Sequence, residues 1–502
     1  MLIDQVLPVS NNELLNQGLE KLTIKEYGGN KMKFEKLCFK VGIVALSTML
    51  LAACGDSEEP NVDEAEGGGG GNIVEELTDE DITLTFSAWF EYEWMEHMAQ
   101  KFTELYPNIK VDIIDLRETD YNDGLNNLAA DGQLPDVFGY NSNVDMPIMN
   151  GWFYDYTDYW EADPDKDIML ETLKDQGRFD GERMMASPIN YYPYAVFIDE
   201  NLLEKENVEM PPGDYTYNDL VELVRRMTVP EKNLFGYEGG SQWLTMAPII
   251  HQDSIGEFGW DGTEYDLTKD WADALQLMAE FERTGVKAPA GDDRAEAAYG
   301  DRELWPPLSG QVAVKLGAWW DKDSFETAEY KDKGINYVPY TIPKGDGDKE
   351  HKPAYVDFGG ISSATEYPRE AFELLKFMSW GSEGWDARME FYNQEAEANP
   401  NYLPPILPLT NEQKYWDAIY ALLPQNQYYS DFLQHAREPI PLGGRVLPGF
   451  ETWISEVYFD GEFGNVEQAV IEGTVNAHDV APELTEKANV YYQEAIEELF
   501  SQ

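Results

Sequence analysis

The segment ITLTFSAWFEYEWMEHMAQKFTELYPNIKVDI, residues 82–113, carries two structural periods in succession. Ile82, Leu84 and Phe86 alternate with Thr83 and Thr85, the period-two pattern of a strand with one buried face. Met95, Met98, Phe102 and Leu105 then recur at helical spacing, and Pro107-Asn108 ends that helix. Ile109, Val111 and Ile113 alternate again. A second helix is expected over residues 121–130, broken by Gly132 and Pro135, and a third strand over residues 136–140. Strand, helix, strand, helix, strand predicts a parallel sheet joined by crossovers. In such sheets ligands bind beyond the C-terminal ends of the strands. That rule points at residues 88–94 and 140–143.

Downstream the same style continues. Thr216 to Asp219 reads as a helix cap ahead of Leu220, Leu223 and Val224. Short strands are expected at Val312–Val314 and residues 335–338. Pro368 opens a helix through Ala371, Leu374, Leu375 and Met378. Asp136 reads as structural, and Trp271 and Trp380 fall in helical patterns that make them core residues. No internal repeat is present.

At the N-terminus, Lys31, Lys33, Lys36 and Lys40 precede thirteen uncharged residues, 41–53. A membrane-spanning helix needs roughly 20 apolar residues, so this is a signal peptide rather than a span. Leu51-Ala52-Ala53-Cys54 resembles the lipobox of bacterial lipoproteins, which implies cleavage before Cys54 and diacylation of its thiol. Two acyl chains anchor stably where one does not. Residues 54–80, with five glycines at 67–71, then form a flexible acidic tether. Met32 is expected to be the start of translation, with residues 1–53 serving as N-terminal extension and signal. Cys38 leaves with the signal and Cys54 carries lipid, so the mature chain has no disulfide.

Acidic residues dominate: 95 Asp and Glu against 36 Lys and Arg, a net charge of −59. Residues 1–53 hold six basic and five acidic residues, so the chain from Cys54 onward is more acidic still. Phosphate backbones demand basic grooves, which excludes nucleic acid as a partner. Anionic headgroups repel such a body, so membrane attachment must be covalent.

Several stretches resemble the extracellular solute-binding proteins of ABC importers, the group that includes the maltose-binding protein. They are HMAQKFTELYPNIKVDII (97–114), LAADGQLPDVFGY (128–140), SPINYYPYAVFIDENLLEK (187–205), YTYNDLVELVRRM (215–227), GQVAVKLGAWW (310–320) and YVDFGGISSATEYPREAFELLKFMSW (355–380). The resemblance implies an α/β fold of two lobes, each a mostly parallel sheet flanked by helices, with ligand in the cleft between them. The chain is expected to cross between lobes near residues 190–194 and 355–359, with a third crossing between 400 and 450. The solute-binding domain, 81–502, then divides into a first lobe of about 81–190 plus 358–410 and a second of 195–354 plus 411–502.

Aromatic residues are 13 % of the chain, and they gather where the strand-end rule expects ligand. A sugar offers apolar C–H faces to rings and a rim of hydroxyls to carboxylates and amides. The expected ligand-binding residues are Trp89, Tyr92, Asn141, Tyr191, Tyr192, Trp243, Trp319, Trp320 and Asp357. The resemblance places Tyr192 at a polar contact on a crossing strand and gives Trp243 and Trp319 a stacking role. The polar pair of the maltose binder's first loop is not reproduced, and Trp89 and Tyr92 occupy that region.

Asp163, Asp165 and Asp167 begin like a calcium loop, but Ile168 and Lys174 stand where glycine and glutamate are required. No His-Glu-x-x-His pair or Gly-x-Ser-x-Gly elbow occurs. No metal, cofactor or catalytic residue is therefore expected. The resemblance implies a monomeric, exported, lipid-anchored binding protein that delivers a carbohydrate, an oligosaccharide above all, to a membrane permease. A glycoside-active enzyme, a peptide or polyol ligand, and service to a sensor kinase remain alternatives.

Overall fold

The alternating segments form strands in a computed structural model that describes residues 76–500, apart from 91, 118–119, 179–180, 252–255 and 346–351. The signal segment, Cys38, Cys54 and the glycine tether lie outside the described residues. The described residues belong to one compact unit.

Nine strands are present among the described residues: β1 (Ile82–Ser87), β2 (Ile109–Ile113), β3 (Val137–Tyr140), β4 (Ser187–Asp199), β5 (Phe235–Glu238), β6 (Val312–Ala318), β7 (Tyr337–Tyr340), β8 (Pro353–Ile361) and β9 (Ile440–Pro441). Their order is β2-β1-β3-β8-β4-β6-β5, with β7 on β4 and β9 on β8. The first three strands pair in parallel, as the opening segment predicts. β5 and β6 are also parallel. β8 runs antiparallel to both β3 and β4.

The expected helices stand where their periodicity puts them. Tyr92–Leu105 buries Trp94, Met95, Met98, Ala99 and Phe102. Tyr121–Ala130 is capped by Asp120, whose side chain accepts from the backbone N–H groups of Asn122 and Asp123. Tyr217–Arg226 carries a reciprocal capping box between Thr216 and Asp219. Pro368 occupies the first turn of Pro368–Met378, where its missing N–H costs nothing. One strand is displaced: residues 335–338 were expected, and β7 begins at Tyr337.

Among the described residues two large hydrophobic cores result, with a small third cluster of Tyr194, Ile249 and Leu442. Core one gathers Leu84, Phe86, Phe102, Phe138, Phe358, Leu374 and Trp380. Core two gathers Leu220, Val224, Trp243, Trp271, Phe281, Val314 and Trp453. β4 serves both, with Ala195 and Phe197 in core one and Val196 and Ile198 in core two. Alternation along a strand sends successive side chains to opposite faces, so one strand joins two cores. The helices Gln413–Leu422 and Gln427–His435, which the sequence reading groups with the second lobe, pack into core one through Trp416, Ile419 and Phe432. Core membership changes between Ala436 and Leu447, on either side of β9.

Asp136 is a tie between segments. Its carboxylate accepts from the Thr85 N–H and hydroxyl at 2.8 and 2.7 Å and from the Thr365 hydroxyl at 2.6 Å. The Asp163–Asp167 stretch is likewise committed. Asp163 caps the turn Pro164–Ile168 and receives the Lys376 ammonium at 2.8 Å, while Asp167 pairs with Lys174. Among the described residues no helix is long and apolar enough to cross a membrane.

Candidate functional site

β4 and β8 lie side by side where the chain passes between cores, and their register sets the site. Asn190 pairs with Asp357, Tyr191 with Val356, and Tyr192 with Tyr355. Alternation sends Tyr191 into core one, completely buried, with its hydroxyl donating to the Ala436 carbonyl at 2.9 Å. Asn190, Tyr192 and Tyr194 are its opposite-phase neighbours along the strand.

A cluster of rings stands at this junction. Trp320, in the turn that ends β6, meets Tyr192 edge-on at 5.2 Å and Tyr355 at 4.9 Å. Tyr355 stacks on Tyr194 at 5.2 Å, and their hydroxyls lie 3.1 Å apart. Tyr192, Trp320 and Tyr355 are half-buried, so ring surface remains for a ligand. Asp357 is 3 % exposed and faces the Arg445 guanidinium at 3.4 Å. Burial pushes its carboxyl up to about 6, against the pull of Arg445 and a hydrogen bond from Asn190. Glu257 accepts the Gly444 N–H at 3.2 Å, and burial raises its carboxyl to about 7. Arg445 reaches this position because β9 pairs with the start of β8.

A second group forms at the strand ends of core one. The Trp89 ring lies over Gly139, where a Cβ would sit 2.9 Å from Cζ3 of that ring and 2.7 Å from Ile189. Only glycine permits that approach. Trp89 also packs on Phe90 and Tyr121. Arg117 sits over the Tyr92 ring at 4.5 Å. Asn141 exchanges backbone hydrogen bonds with the Asn122 side chain. The adjoining turn reaches core two: the Asn143 amide donates to the Leu447 carbonyl at 2.8 Å, the Ser142 hydroxyl donates to Glu451, and the Gly449 N–H donates to Asp145 at 2.9 Å.

The structure thus brings Tyr192, Trp320 and Asp357 together and leaves Trp89, Tyr92 and Asn141 partly exposed in the first loops. It places Tyr191, Trp243 and Trp319 elsewhere. Trp243 is sealed in core two among Tyr217, Tyr237 and Phe281. Trp319 is sealed in core one, stacked on Phe432 at 5.2 Å, with its indole N–H donating to the Pro404 carbonyl at 3.3 Å. The reason is local. Trp319 and Trp320 follow one another in a tight turn and cannot face the same way. Sequence reasoning missed Arg445, Glu257 and Tyr355. Tyr355 was within reach, since it lies in the expected second crossing. A cavity of about 610 Å³ opens between the outer helices of core two, lined by Gln276, Arg283 and Asn476, and none of the nine expected residues lines it.

Two cores joined by shared strands, with a half-buried ring cluster and a carboxylate at the joint, define a two-lobed α/β binding protein. The sequence pattern of the bacterial extracellular solute-binding protein family matches residues 88–379, more than half of the chain, and the chain belongs to that family. The family and its structural neighbours are binding proteins, not enzymes. The fold is similar to that of an ABC substrate-binding protein from Listeria monocytogenes solved in complex with cycloalternan. The TM-score is 0.62 at 18 % identity, over 82 % of this chain and 99 % of that one. It is also similar to the sugar-binding protein MalE from Xanthomonas citri (TM-score 0.61, 14 % identity, 84 % and 99 % covered). The GacH receptor of Streptomyces glaucescens, solved unliganded and with acarbose, gives a TM-score of 0.59 at 14 % identity, with 83 % and 100 % covered. A comparison with curated proteins finds no match.

Proposed function

We propose that this chain captures a carbohydrate, an oligosaccharide in particular, for an ABC importer, and that it is held at the outer face of the cell membrane by lipid on Cys54. The observation that carries the sugar reading is the joint itself: Tyr192, Trp320 and Tyr355 offer ring faces while Asp357 and Asn190 offer hydrogen-bonding groups beside them. Rings that cover C–H faces and a few placed polar groups are what a small saccharide needs. The structural neighbours solved with cycloalternan, acarbose and maltotetraose support the same ligand class.

Trp89, Tyr92 and Asn141 would meet the ligand from the first lobe, and Trp320 with the crossing strands from beneath. We take β4, β8 and β9 as the three crossings. Ligand that touches both lobes favours the form in which they approach, so binding shifts the open–closed equilibrium toward a shape the permease accepts. No chemistry and no cofactor enter this scheme, and one copy of the chain suffices. Lipid on Cys54, with permease delivery, rests on the lipobox and the family. Mass spectrometry of the membrane-extracted protein tests the anchor: a diacylated N-terminal Cys54 is expected, and an unmodified thiol there refutes it.

A thermal-shift screen against an oligosaccharide panel tests the ligand class, because bound ligand stabilises by mass action. Saturable stabilisation by at least one glycan, without release of reducing ends, is expected. Silence of every glycan together with a response to a peptide or polyol would refute the sugar reading.

A further inference from the structure

The turn that follows β3 ties the first lobe to the second. Tyr140 and Val144, on this side, are buried in core one; Leu447 and Phe450, on the facing side, are buried in core two. Four hydrogen bonds cross between them. The Asn143 side-chain amide donates to the Leu447 carbonyl at 2.8 Å, and the Asn143 backbone N–H donates to the Glu451 carboxylate at 3.3 Å. The Ser142 hydroxyl donates to the same carboxylate, and the Gly449 N–H donates to Asp145 at 2.9 Å. Three of the four end on a carboxylate, the stronger kind of hydrogen bond.

The first-lobe half of this tie is held in shape by its own lobe. The Asn143 side-chain oxygen accepts the Asp145 N–H at 3.0 Å, which orients the amide toward Leu447. The Asn122 side chain fixes the Asn141 backbone one residue before the tie begins. Asn143 is completely buried, so parting the lobes here must break its bond to Leu447 and bring water to both groups. The four bonds share one short turn on each side, so they form and break together.

Every donor and acceptor in the tie belongs to the chain itself. Closure at this edge therefore draws on protein groups and not on the identity of a ligand. A ligand that needs the closed form binds with an affinity scaled by the fraction of molecules in that form. Resting on the reading of two lobes that close on a carbohydrate, we infer that residues 142–145 and 447–451 are a latch: they supply part of the drive to close and so set ligand affinity without touching the ligand.

Hydrogen–deuterium exchange on the ligand-free mature chain tests the latch, with β1 and β6 as internal references. In wild type the peptides holding Asn143 and Gly449 should both exchange slowly. Glu451→Ala removes two of the four bonds and should speed both peptides roughly tenfold or more, on both lobes, while β1 and β6 keep their rates. Ser142→Ala removes one bond and provides a second variant should Glu451→Ala fold poorly; it should speed both peptides by about threefold to tenfold. Acceleration confined to the mutated lobe would overturn the latch, as would unprotected exchange of either peptide in wild type. In glycan titrations Glu451→Ala should weaken every glycan that wild type binds by one common factor, roughly tenfold. A changed order of preference among glycans would overturn the latch by making Glu451 a ligand contact. Silence of wild type toward every glycan would overturn the carbohydrate reading and leave the latch to be judged by exchange, which needs no ligand.

Discussion

Replacing Trp319 and Trp320 separately sets the structure against the resemblance, because the resemblance gives Trp319 the ligand and the structure gives it to core one. Trp319 is fully buried, stacked on Phe432 with 12° between planes and approached by the Lys322 ammonium at 4.7 Å. A buried tryptophan removes on the order of 200 Å² from water, worth about 5 kcal/mol at 25 cal/mol/Å². Alanine retains a small part of that, so Trp319→Ala should cost about 3–5 kcal/mol, within the range for such truncations. The Pro404 carbonyl also loses its donor, which adds about 1 kcal/mol. Trp320→Ala removes a half-buried ring and should cost no more than about 1–2 kcal/mol. Equilibrium urea unfolding followed by far-UV circular dichroism measures both. The same variants, titrated with whichever glycan the screen returns, should divide the other way: Trp320→Ala loses roughly tenfold or more in affinity, and Trp319→Ala, where still folded, keeps most of it. A Trp319→Ala protein as stable as wild type to within about 1 kcal/mol but unable to bind would refute the placement and restore the stacking role.

Four further outcomes follow from named contacts. The Asp357 carboxyl stands near 6 when folded, so the stability it contributes is full below the unfolded value of about 4 and is lost as pH rises through 6; Asp357→Asn should gain on wild type by about 2.5 kcal/mol between pH 4 and pH 8, read from urea midpoints at each pH. Thr216→Ala removes one half of the capping box and should cost about 1 kcal/mol in the same assay. Gly236→Ala would place a Cβ 2.1 Å from the Val224 carbonyl oxygen, forcing Tyr217–Arg226 away from β5; a cost of about 1–3 kcal/mol is expected from the unfolding midpoint. Net charge of −59 makes self-repulsion a general load, so the thermal midpoint should rise as sodium chloride goes from about 0.01 M to about 1 M and screening tightens.

What the residue order dictated is everything with a local period or a local partner. Ile82, Leu84 and Phe86 could bury one face only as a strand, and Met95, Met98 and Phe102 only as a helix, so the parallel opening of the sheet was legible before any contact was known. Thr216 with Asp219, and Pro368 at a first turn, mark helix starts because their partners lie within one turn. The expectation of no nucleic-acid partner comes from charge balance alone, a sum over residues that needs no geometry. Long-range packing settled the rest. Whether Trp319 or Trp320 faces the joint depends on Phe432, which arrives from a distant helix to cover the first. Arg445 meets Asp357 only because β9 pairs with β8, and helices Gln413–Leu422 and Gln427–His435 choose core one by shape rather than by any pattern of their own. Periodicity says that a side chain is buried. Against what it is buried depends on how remote segments pack together.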